Sequence, residues 1–348
     1  AVGQRLVNIA VSSYDRVRQD GPEALRRDIL MPQPEGLLVS RFQGCLVGLG
    51  VGDALGAPVE GMSRSEIKRR YGRVTEMLGG GWHGLGSGGY TDDTAMMLCI
   101  ARSIVEKGYF DPENVADKFL HWFDAGPVGI GRTTWIALSE MKKGASWSEV
   151  GRIAHERLGG LSAGNGSIMR CAPIGLLHFN DYEKLVKDSI ESSIITHWDP
   201  QACWGAAAVN MGIAEILKGQ RGNLLSTLKS RVEQPEVSKA IDEVSKLNIG
   251  DLEPSAYVLD TLQAALWCFL TTSSFESALV AAVNLGGDTD TVGAVCGALA
   301  GASYGIEAIP WRWQEPLQDR QEILLLAEKI YELATDFTPI LRQAQDRL

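Results

Sequence analysis

Two short acidic segments place carboxylates and hydroxyls side by side where loops lead into helices. The first is "YTDDT", residues 90–94, and the second is "GGDTDT", residues 286–291. Carboxylates at close range repel one another, so a neighbouring group must offset their charge. A helix N-terminus does so through capping and the helix dipole, and either segment alone is typical of a cap. A cap needs one such residue, however, and each segment supplies four, which favours a metal ion.

The ligand atoms indicate which ion would bind. Carboxylate and hydroxyl oxygens are typical ligands of hard divalent ions such as Mg²⁺, Mn²⁺ and Ca²⁺. Neither segment contains histidine or cysteine, which argues against zinc. Four aspartates and Glu60 carry more negative charge than one ion needs, so the set favours two ions that share a bridging carboxylate.

Regularly spaced glycines indicate how the two segments meet. Glycine recurs at every fourth position at 44, 48, 52 and 56, and again at 293, 297, 301 and 305. Each glycine in a helix interior costs roughly 1 kcal/mol relative to alanine, so this spacing predicts a close approach of two helix backbones. The second helix begins with "DTDT" and the first leads into "GAPVEG". Their packing would therefore bring Glu60 close to Asp288 and Asp290.

The fold class follows from the periodicity of the remaining chain. From Arg41 onward apolar residues recur at spacings of three and four, without convincing alternation, so we predict an all-α fold. We expect one compact helical domain over residues 37–348. Residues 1–36 form an N-terminal extension that ends in the proline-containing linker "MPQPEG". The glycine-rich stretch at residues 79–90 is predicted to be a long loop of the functional kind.

Composition restricts the partners and the compartment. The formal net charge of −10 argues against nucleic acid and anionic membranes as partners. Six scattered cysteines without a C-x-x-C pair indicate reduced core thiols, from which we expect a cytoplasmic protein. The apolar run near residues 46–59 is interrupted by Asp53 and Pro58, so we do not expect it to span a bilayer.

Two further segments contain candidate ligand-binding residues. The segment "SAGNGSIMRCAPIGL", residues 162–176, is a small-residue loop that would open an apolar helix and offer backbone amides to a phosphate. Its Gly-Asn-Gly is equally typical of an ordinary turn. In "THWDP", His197 precedes a helix that begins with Asp199 and Pro200. The other four histidines, at positions 83, 121, 155 and 178, are interpreted as structural.

In their order along the chain, these segments resemble the ADP-ribosylglycohydrolase family. The resemblance covers roughly residues 41–310, and "TDDT" and "GGDTDT" are its most specific parts. It rests on "GCLVGLGVGDALGAPVEG", "YTDDTAMM", "GNGSIMRCAPIG", "THWDP", "SAYVLDTLQAALW" and "NLGGDTDTVGAVCGALAGASYG". The resemblance implies a compact all-α fold, a centre of two Mg²⁺ or Mn²⁺ ions with Mg²⁺ preferred, and binding of ADP-ribose.

The resemblance also implies roles for individual residues. Asp290 matches a bridging ligand, and the catalytic carboxylates would be Glu60, Asp92, Asp93 and Asp290. The metal-ligand positions match Glu60, Thr91, Asp92, Asp93, Asp288, Asp290 and Thr291. The ADP-ribose positions match Asn165, Gly166, Ser167, Met169, His197 and Tyr257, the last of which follows Ala256 where a glycine is usual.

The activity implied is hydrolysis that removes ADP-ribose from a modified protein side chain, with arginine the expected acceptor. A water would attack the anomeric carbon through an oxocarbenium-like transition state. One alternative is hydrolysis of a free ADP-ribose derivative or of ADP-ribosylated nucleic acid. Another is an immunity-type protein that binds an ADP-ribosyltransferase toxin through residues 1–36. A third is a non-enzymatic member, against which the complete set of matched metal ligands argues.

Overall fold

A computed structural model describes residues 35–127 and 129–335. Within these ranges the chain forms helices and turns and no named strand, which confirms the predicted all-α fold. The described residues from Val39 onward belong to one compact unit. The α-helices are α1 (Glu35–Gly56), α2 (Arg64–Tyr71), α3 (Asp92–Lys107), α4 (Pro112–Asp124), α5 (Arg132–Lys142), α6 (Trp147–Arg157), α7 (Ala172–Leu177), α8 (Tyr182–Ile194), α9 (Pro200–Leu217), α10 (Leu224–Arg231), α11 (Pro235–Glu243), α12 (Val258–Leu270), α13 (Phe275–Val283), α14 (Thr289–Tyr304), α15 (Trp311–Gln314) and α16 (Arg320–Thr335).

Several helices begin where the sequence supplies capping chemistry. Ser63 starts α2 with a complete capping box, in which its side chain and that of Glu66 bond each other's backbone amides. Asp111 and Asp199 cap α4 and α9, and each is followed by proline at the first helical position. These starts fix the directions in which the chain enters the helices around the site.

Helices α1 and α14 pack backbone against backbone along the glycine repeats. A Cβ on Gly52 would lie 2.0 Å from the carbonyl oxygen of Gly293, closer than real side chains approach. The same holds one and two turns earlier in α1, where Gly48 meets Gly297 and Gly44 meets Gly301. The predicted close approach is therefore confirmed, and it places the end of α1 beside the start of α14.

Helix α1 belongs to the core. By length and composition, the stretch of residues 36–59 is the one described segment that could cross a membrane, but 94% of its most apolar window is buried inside the protein. A buried core helix passes the same composition test. All six cysteines are buried and unpaired, which confirms their interpretation as core thiols.

The predicted extension lies almost entirely outside the described residues, which begin at Glu35. Helix α1 also starts at Glu35, inside the "MPQPEG" segment, so the last two residues of the predicted linker are helical. The division into residues 1–36 and 37–348 stays a prediction.

Candidate metal and ligand site

The first acidic segment forms a capped helix start whose cap is itself held by an acid. Thr91 is the N-cap of α3, and its hydroxyl accepts from the Asp93 amide at 3.4 Å. Asp53 of α1 accepts from the amide and hydroxyl of Thr91, both at 3.0 Å. It also accepts from the amide and hydroxyl of Thr94, at 3.0 and 2.6 Å. The capping interpretation is thus correct for Thr91, while Asp92 and Asp93 remain available.

Asp53 was not among the candidate site residues. It is fully buried, and it joins the middle of α1 to the first turn of α3. In the sequence it appears only as an interruption of the apolar run "GVGDALG". A lone acid in such a run is the signal that would have identified it, because a buried carboxylate requires donors.

The second acidic segment makes a different helix start. Asp288 occupies the N-cap position of α14, but its side chain makes no capping hydrogen bond. Instead its Oδ2 accepts from the Asn165 side chain at 2.8 Å. The Thr289 hydroxyl donates to the Gly56 carbonyl at 2.9 Å, which ties α14 to the end of α1. Thr291 hydrogen-bonds Asp93, so the two segments converge as predicted.

Glu60 lies beside the second segment, and the glycine-rich loop covers it. The Glu60 carboxylate accepts from His83 Nε2 at 2.7 Å and from Trp82 Nε1 at 3.0 Å. One ligand atom from each of Glu60, His83 and Asp290 lies within 4.8 Å of the other two. The interpretation of His83 as purely structural is therefore incomplete, and its place in a long loop was the available signal. His121, His155 and His178 make local contacts instead.

Burial and mutual repulsion dominate the electrostatics of the acids. Burial raises the pKa of Asp53 to about 6, although four hydrogen bonds oppose the shift. The pKa values of Asp92 and Asp93 are raised well above the ordinary value, first by burial and then by the charge of Asp53. The pKa of Asp290 is raised by burial and then by Asp288. Such a cluster holds protons unless a cation replaces them.

Several atoms of the cluster have no protein partner. Among the described residues, Asp93 Oδ2, Asp290 Oδ1 and His83 Nδ1 are buried without any hydrogen bond. Buried carboxylate oxygens without a donor are costly, and they are the ligands that hard divalent cations prefer. The residues present therefore fit a divalent metal ion.

The segment from Asn165 to Met169 is a turn, and backbone hydrogen bonds join it to the residues at the start of α12. The Asn165 amide donates to the Ala256 carbonyl and the Val258 amide to the Ala163 carbonyl, both at 3.0 Å. The Asn165 carbonyl accepts from the amides of Ile168 and Met169. The loop leads into the apolar helix α7, which begins at Ala172, as expected, and the turn of residues 165–169 lies just before that helix start. The turn uses two of the amides that a helix start would have left free.

The side chains of this turn point in different directions. Asn165 reaches the acidic cluster through Asp288 and also donates to Thr261 at 2.9 Å. The Ser167 side chain is buried and donates to the Ala202 carbonyl at 3.1 Å. Met169 is buried as well. Asn165 thus connects the turn to the acids, whereas Ser167 and Met169 face the core and leave only their backbones for a ligand.

His197 and Tyr257 flank this turn. A Cβ on Gly166 would lie 2.5 Å from His197 Cε1, so the ring rests directly on the glycine. Burial lowers the pKa of His197 to about 3, so the ring is neutral. Tyr257 pairs with Gly164 in an isolated bridge and donates its hydroxyl to Gln201. Every candidate site residue thus lies at one of two adjoining places, the acidic cluster or the turn, and their functional roles stay predictions.

Comparison with known proteins identifies the family to which this chain belongs. A model of the ADP-ribosylglycohydrolase family matches residues 34–338. The chain therefore belongs to the ADP-ribosylglycohydrolase family. It is an enzyme of that kind, a hydrolase of ADP-ribosyl bonds.

Individual relatives agree with this assignment. The chain is 34% identical to the ADP-ribosyl-[dinitrogen reductase] glycohydrolase of Rhodospirillum rubrum, covering 81% of this chain and 92% of the relative. It is 32% identical to the ADP-ribosylarginine hydrolase Tri1 of Serratia proteamaculans, covering 88% and 82%. Among solved structures, an ADP-ribosylglycohydrolase-related protein complex matches with a TM-score of 0.75 and 35% identity, covering 86% of this chain and 100% of that one.

Proposed function

We propose that this ADP-ribosylglycohydrolase removes ADP-ribose from arginine side chains of modified proteins and that it requires two divalent cations. Mg²⁺ is the preferred ion and Mn²⁺ the alternative. The observation that carries the proposal is the pair of buried carboxylate oxygens without a donor, Asp93 Oδ2 and Asp290 Oδ1, in a cluster whose acids repel one another. Because no donor among the described residues reaches these two oxygens, protons or cations would offset the repulsion.

The ligands proposed for the ions come from both helix starts and from the end of α1. The charges of Asp288, Asp93 and Glu60 all raise the pKa of Asp290, which supports a bridging role for this residue. The full ligand set is Glu60, Thr91, Asp92, Asp93, Asp288, Asp290 and Thr291. Bound ions would orient the ribose hydroxyls and a water and lower the pKa of that water.

The chain's own residues perform the remaining tasks. Asn165 holds the Asp288 carboxylate in one orientation, because its amide donates at 2.8 Å. The turn of residues 165–169, with His197 and Tyr257 on either side, would hold ADP-ribose so that the anomeric carbon faces the acids. A carboxylate of the cluster, Glu60 or one of the aspartates, would take the proton of the attacking water as general base.

Two observations support arginine as the acceptor. The Serratia relative is an ADP-ribosylarginine hydrolase by name. In addition, the indole of Trp82 is 73% exposed while its Nε1 donates to Glu60, so an aromatic face borders the acids on the solvent side. Aromatic faces bind guanidinium groups favourably, which suits the side chain from which ADP-ribose is removed.

The test is a turnover assay with matched substrates. Proteins carrying ADP-ribose on arginine, on serine or on aspartate and glutamate are incubated with metal-depleted enzyme, and then with Mg²⁺ or Mn²⁺ restored. We expect release of ADP-ribose from arginine only, and only with an ion present. Equal release after metal depletion would contradict the metal requirement. A free ADP-ribose derivative and ADP-ribosylated nucleic acid are assayed in parallel, and release from these substrates alone would contradict the proposal of a protein substrate.

Two expectations lie beyond the site itself. Binding of an ADP-ribosyltransferase toxin through residues 1–36 stays a prediction, since residues 1–34 lie outside the described part of the chain. The cytoplasmic location likewise stays a prediction from the reduced cysteines.

A further inference from the structure

A buried chain of hydrogen bonds leads from Arg170 to His197. Arg170 is fully buried, and its guanidinium lies 4.6 Å from the Phe119 ring centroid. Its Nη2 donates to the Thr196 hydroxyl oxygen at 2.7 Å. The same hydroxyl lies 2.8 Å from His197 Nδ1. Thr196 is also fully buried, so these contacts are shielded from water.

The direction of each hydrogen bond follows from the donors available. Arginine has donors and no acceptor, so Thr196 must accept from Arg170. The Thr196 hydroxyl has one hydrogen, and among the described residues its contacts are Arg170 and His197. That hydrogen therefore points to His197 Nδ1, which must accept. A neutral imidazole that accepts at Nδ1 carries its proton on Nε2.

The opposite tautomer would leave a buried group without a partner. With a proton on Nδ1, His197 and Arg170 would both donate to the hydroxyl oxygen of Thr196. The hydroxyl hydrogen would then have no acceptor among the described residues in a fully buried position, which costs as much as a lost hydrogen bond. The ring is neutral because burial holds its pKa near 3.

The Nε2 atom of His197 faces the turn. A Cβ on Gly166 would lie 3.0 Å from Nε2, and one on Gly164 would lie 3.2 Å from it. Glycine at both positions leaves this side of the ring uncovered by side chains. Within residues 35–127 and 129–335, Nε2 makes no hydrogen bond to protein. Its proton is therefore available to a ligand that lies on the turn.

We propose that Arg170 and Thr196 are positioning residues that hold His197 as a neutral Nε2–H donor toward an oxygen of the ADP-ribose bound on the turn of residues 165–169. The role of Arg170 is to fix the direction of donation, since a guanidinium does not become an acceptor. This inference rests on the proposed function, because the oxygen it assigns to the donor belongs to ADP-ribose. The state of the His197 ring itself does not depend on that function.

The first measurement needs no variant. Nitrogen-15 NMR of histidine-labelled protein without ligand distinguishes a protonated from an unprotonated ring nitrogen. A His197→Gln sample assigns the resonances. We expect Nε2 protonated and Nδ1 unprotonated at neutral pH. A ring protonated on Nδ1, or on both nitrogens, would overturn the proposal.

The second measurement links the tautomer to binding. Thr196→Val keeps the shape and removes the hydroxyl, whereas Thr196→Ser restores it. By calorimetry with ADP-ribose and Mg²⁺, we expect Thr196→Val to weaken binding about tenfold, the ratio that 1.4 kcal/mol produces. Thr196→Ser should bind as the wild type does, with the wild-type tautomer.

The outcomes separate this inference from the proposed function. A changed tautomer in Thr196→Val with unchanged ADP-ribose affinity would overturn the assignment of Nε2–H to the ligand. Failure of the wild type to bind ADP-ribose would contradict the proposed function. The tautomer of the His197 ring, measured without ligand, would still test whether Arg170 and Thr196 hold the ring in the stated state. Should Thr196→Val fail to fold, the wild-type spectrum together with the affinity of Thr196→Ser remains decisive.

Discussion

The two acidic helix starts have similar sequences but different hydrogen-bond partners. At the start of α3, Thr91 caps the helix, and the buried Asp53 holds its hydroxyl and amide. At the start of α14, Asp288 makes no cap and turns toward Asn165. At the first start protein donors hold the capping residue in place, whereas at the second the residue at the N-cap position is turned away from the helix amides. The comparison shows that a residue at an N-cap position is a cap only when its side chain accepts from backbone amides, as Thr91 does and Asp288 does not.

A second contrast separates acids that have hydrogen-bond donors from acids that have none. Asp53 accepts four hydrogen bonds and still has a pKa raised to about 6 by burial. Asp290, by contrast, has a buried oxygen without any partner among the described residues, as Asp93 does at the start of α3, and three neighbouring acids raise the pKa of Asp290 further. Both helix starts therefore contain an acid that needs a cation, and changes at Asp290, the proposed bridging ligand, should have the largest effects.

The largest effect is expected for Asp290→Asn, which keeps the shape and removes the charge. A bridging ligand needs that charge, so the variant should bind fewer ions and lose turnover by roughly 10³-fold, about 4 kcal/mol of transition-state stabilisation. It should remain folded, because removing one crowded carboxylate relieves repulsion. Metal analysis and the turnover assay check this.

A matched substitution at a true cap provides the control. Asp111 caps α4 by accepting from the amides of Glu113 and Asn114 at 3.1 and 3.2 Å. Asn caps about as well as Asp, so Asp111→Asn should leave stability, metal content and turnover unchanged. If Asp290→Asn behaved like Asp111→Asn, the start of α14 would be only a cap and the contrast between the two helix starts would disappear.

A smaller effect is expected for Gly52→Ala, which changes the contact that positions α14 against α1. A Cβ in Gly52→Ala would lie 2.0 Å from the backbone oxygen of Gly293, and backbone does not move aside easily. Overpacking of this kind costs about 3 kcal/mol of unfolding free energy, which exceeds the gain of roughly 1 kcal/mol in helix propensity. Turnover should fall as well, because Asp290 moves relative to Glu60.

The control lies two residues away on the same helix. A Cβ on Gly50 would lie 3.5 Å from the side chains of Leu317 and Ile323, an ordinary contact distance. Gly50→Ala should therefore leave turnover unchanged and add up to about 1 kcal/mol to the unfolding free energy. Urea unfolding of both variants measures the difference, and equal stability of the two would show that the glycine contact does not position α14.

The glycine contact was also the part of the fold most accessible from sequence. Only glycine permits two helix backbones to touch. Its recurrence at every fourth position in two segments therefore predicted that α1 and α14 meet and that Glu60 approaches Asp290. The hydrogen-bond partners of the acidic residues could not be predicted from such spacing. Asp53 accepts hydrogen bonds from Thr91 and Thr94, which lie 38 and 41 positions further along the chain. No local spacing in the sequence predicts contacts between residues so far apart.

Two other features depended on the path of the chain in space. His83 reaches Glu60 because the long glycine loop folds back on the end of α1, and composition does not specify that path. The loop before α7 was predicted, but the hydrogen-bonded turn within it was not: the Asn165 carbonyl accepts from two following amides before α7 begins. Small residues are compatible with an open loop and with such a turn, and only the hydrogen bonds distinguish them.

The smallest expected effect concerns the pH at which a cation stabilises the fold. The pKa of Asp53 is raised from 3.8 to about 6, so its contribution to stability is full below pH 3.8 and is lost as the pH rises through 6. The pKa values of Asp92, Asp93 and Asp290 are raised as well, and they act in the same direction. The metal-free protein should therefore lose stability from this cluster as the pH rises, and a cation that replaces the protons should restore it.

Mg²⁺ should consequently stabilise the protein more at pH 7.5 than at pH 5. At a concentration of one hundred times the dissociation constant, binding adds about 2.7 kcal/mol to the unfolding free energy, and at pH 5 protons compete for the same oxygens. Urea unfolding of dialysed protein at both pH values, with and without Mg²⁺, measures the two gains. Asp290→Asn should lose most of the gain at pH 7.5, whereas Asp111→Asn should keep it. An equal gain at both pH values would mean that the ion binds outside the buried acids, and the contrast between the two helix starts would then have no bearing on metal binding.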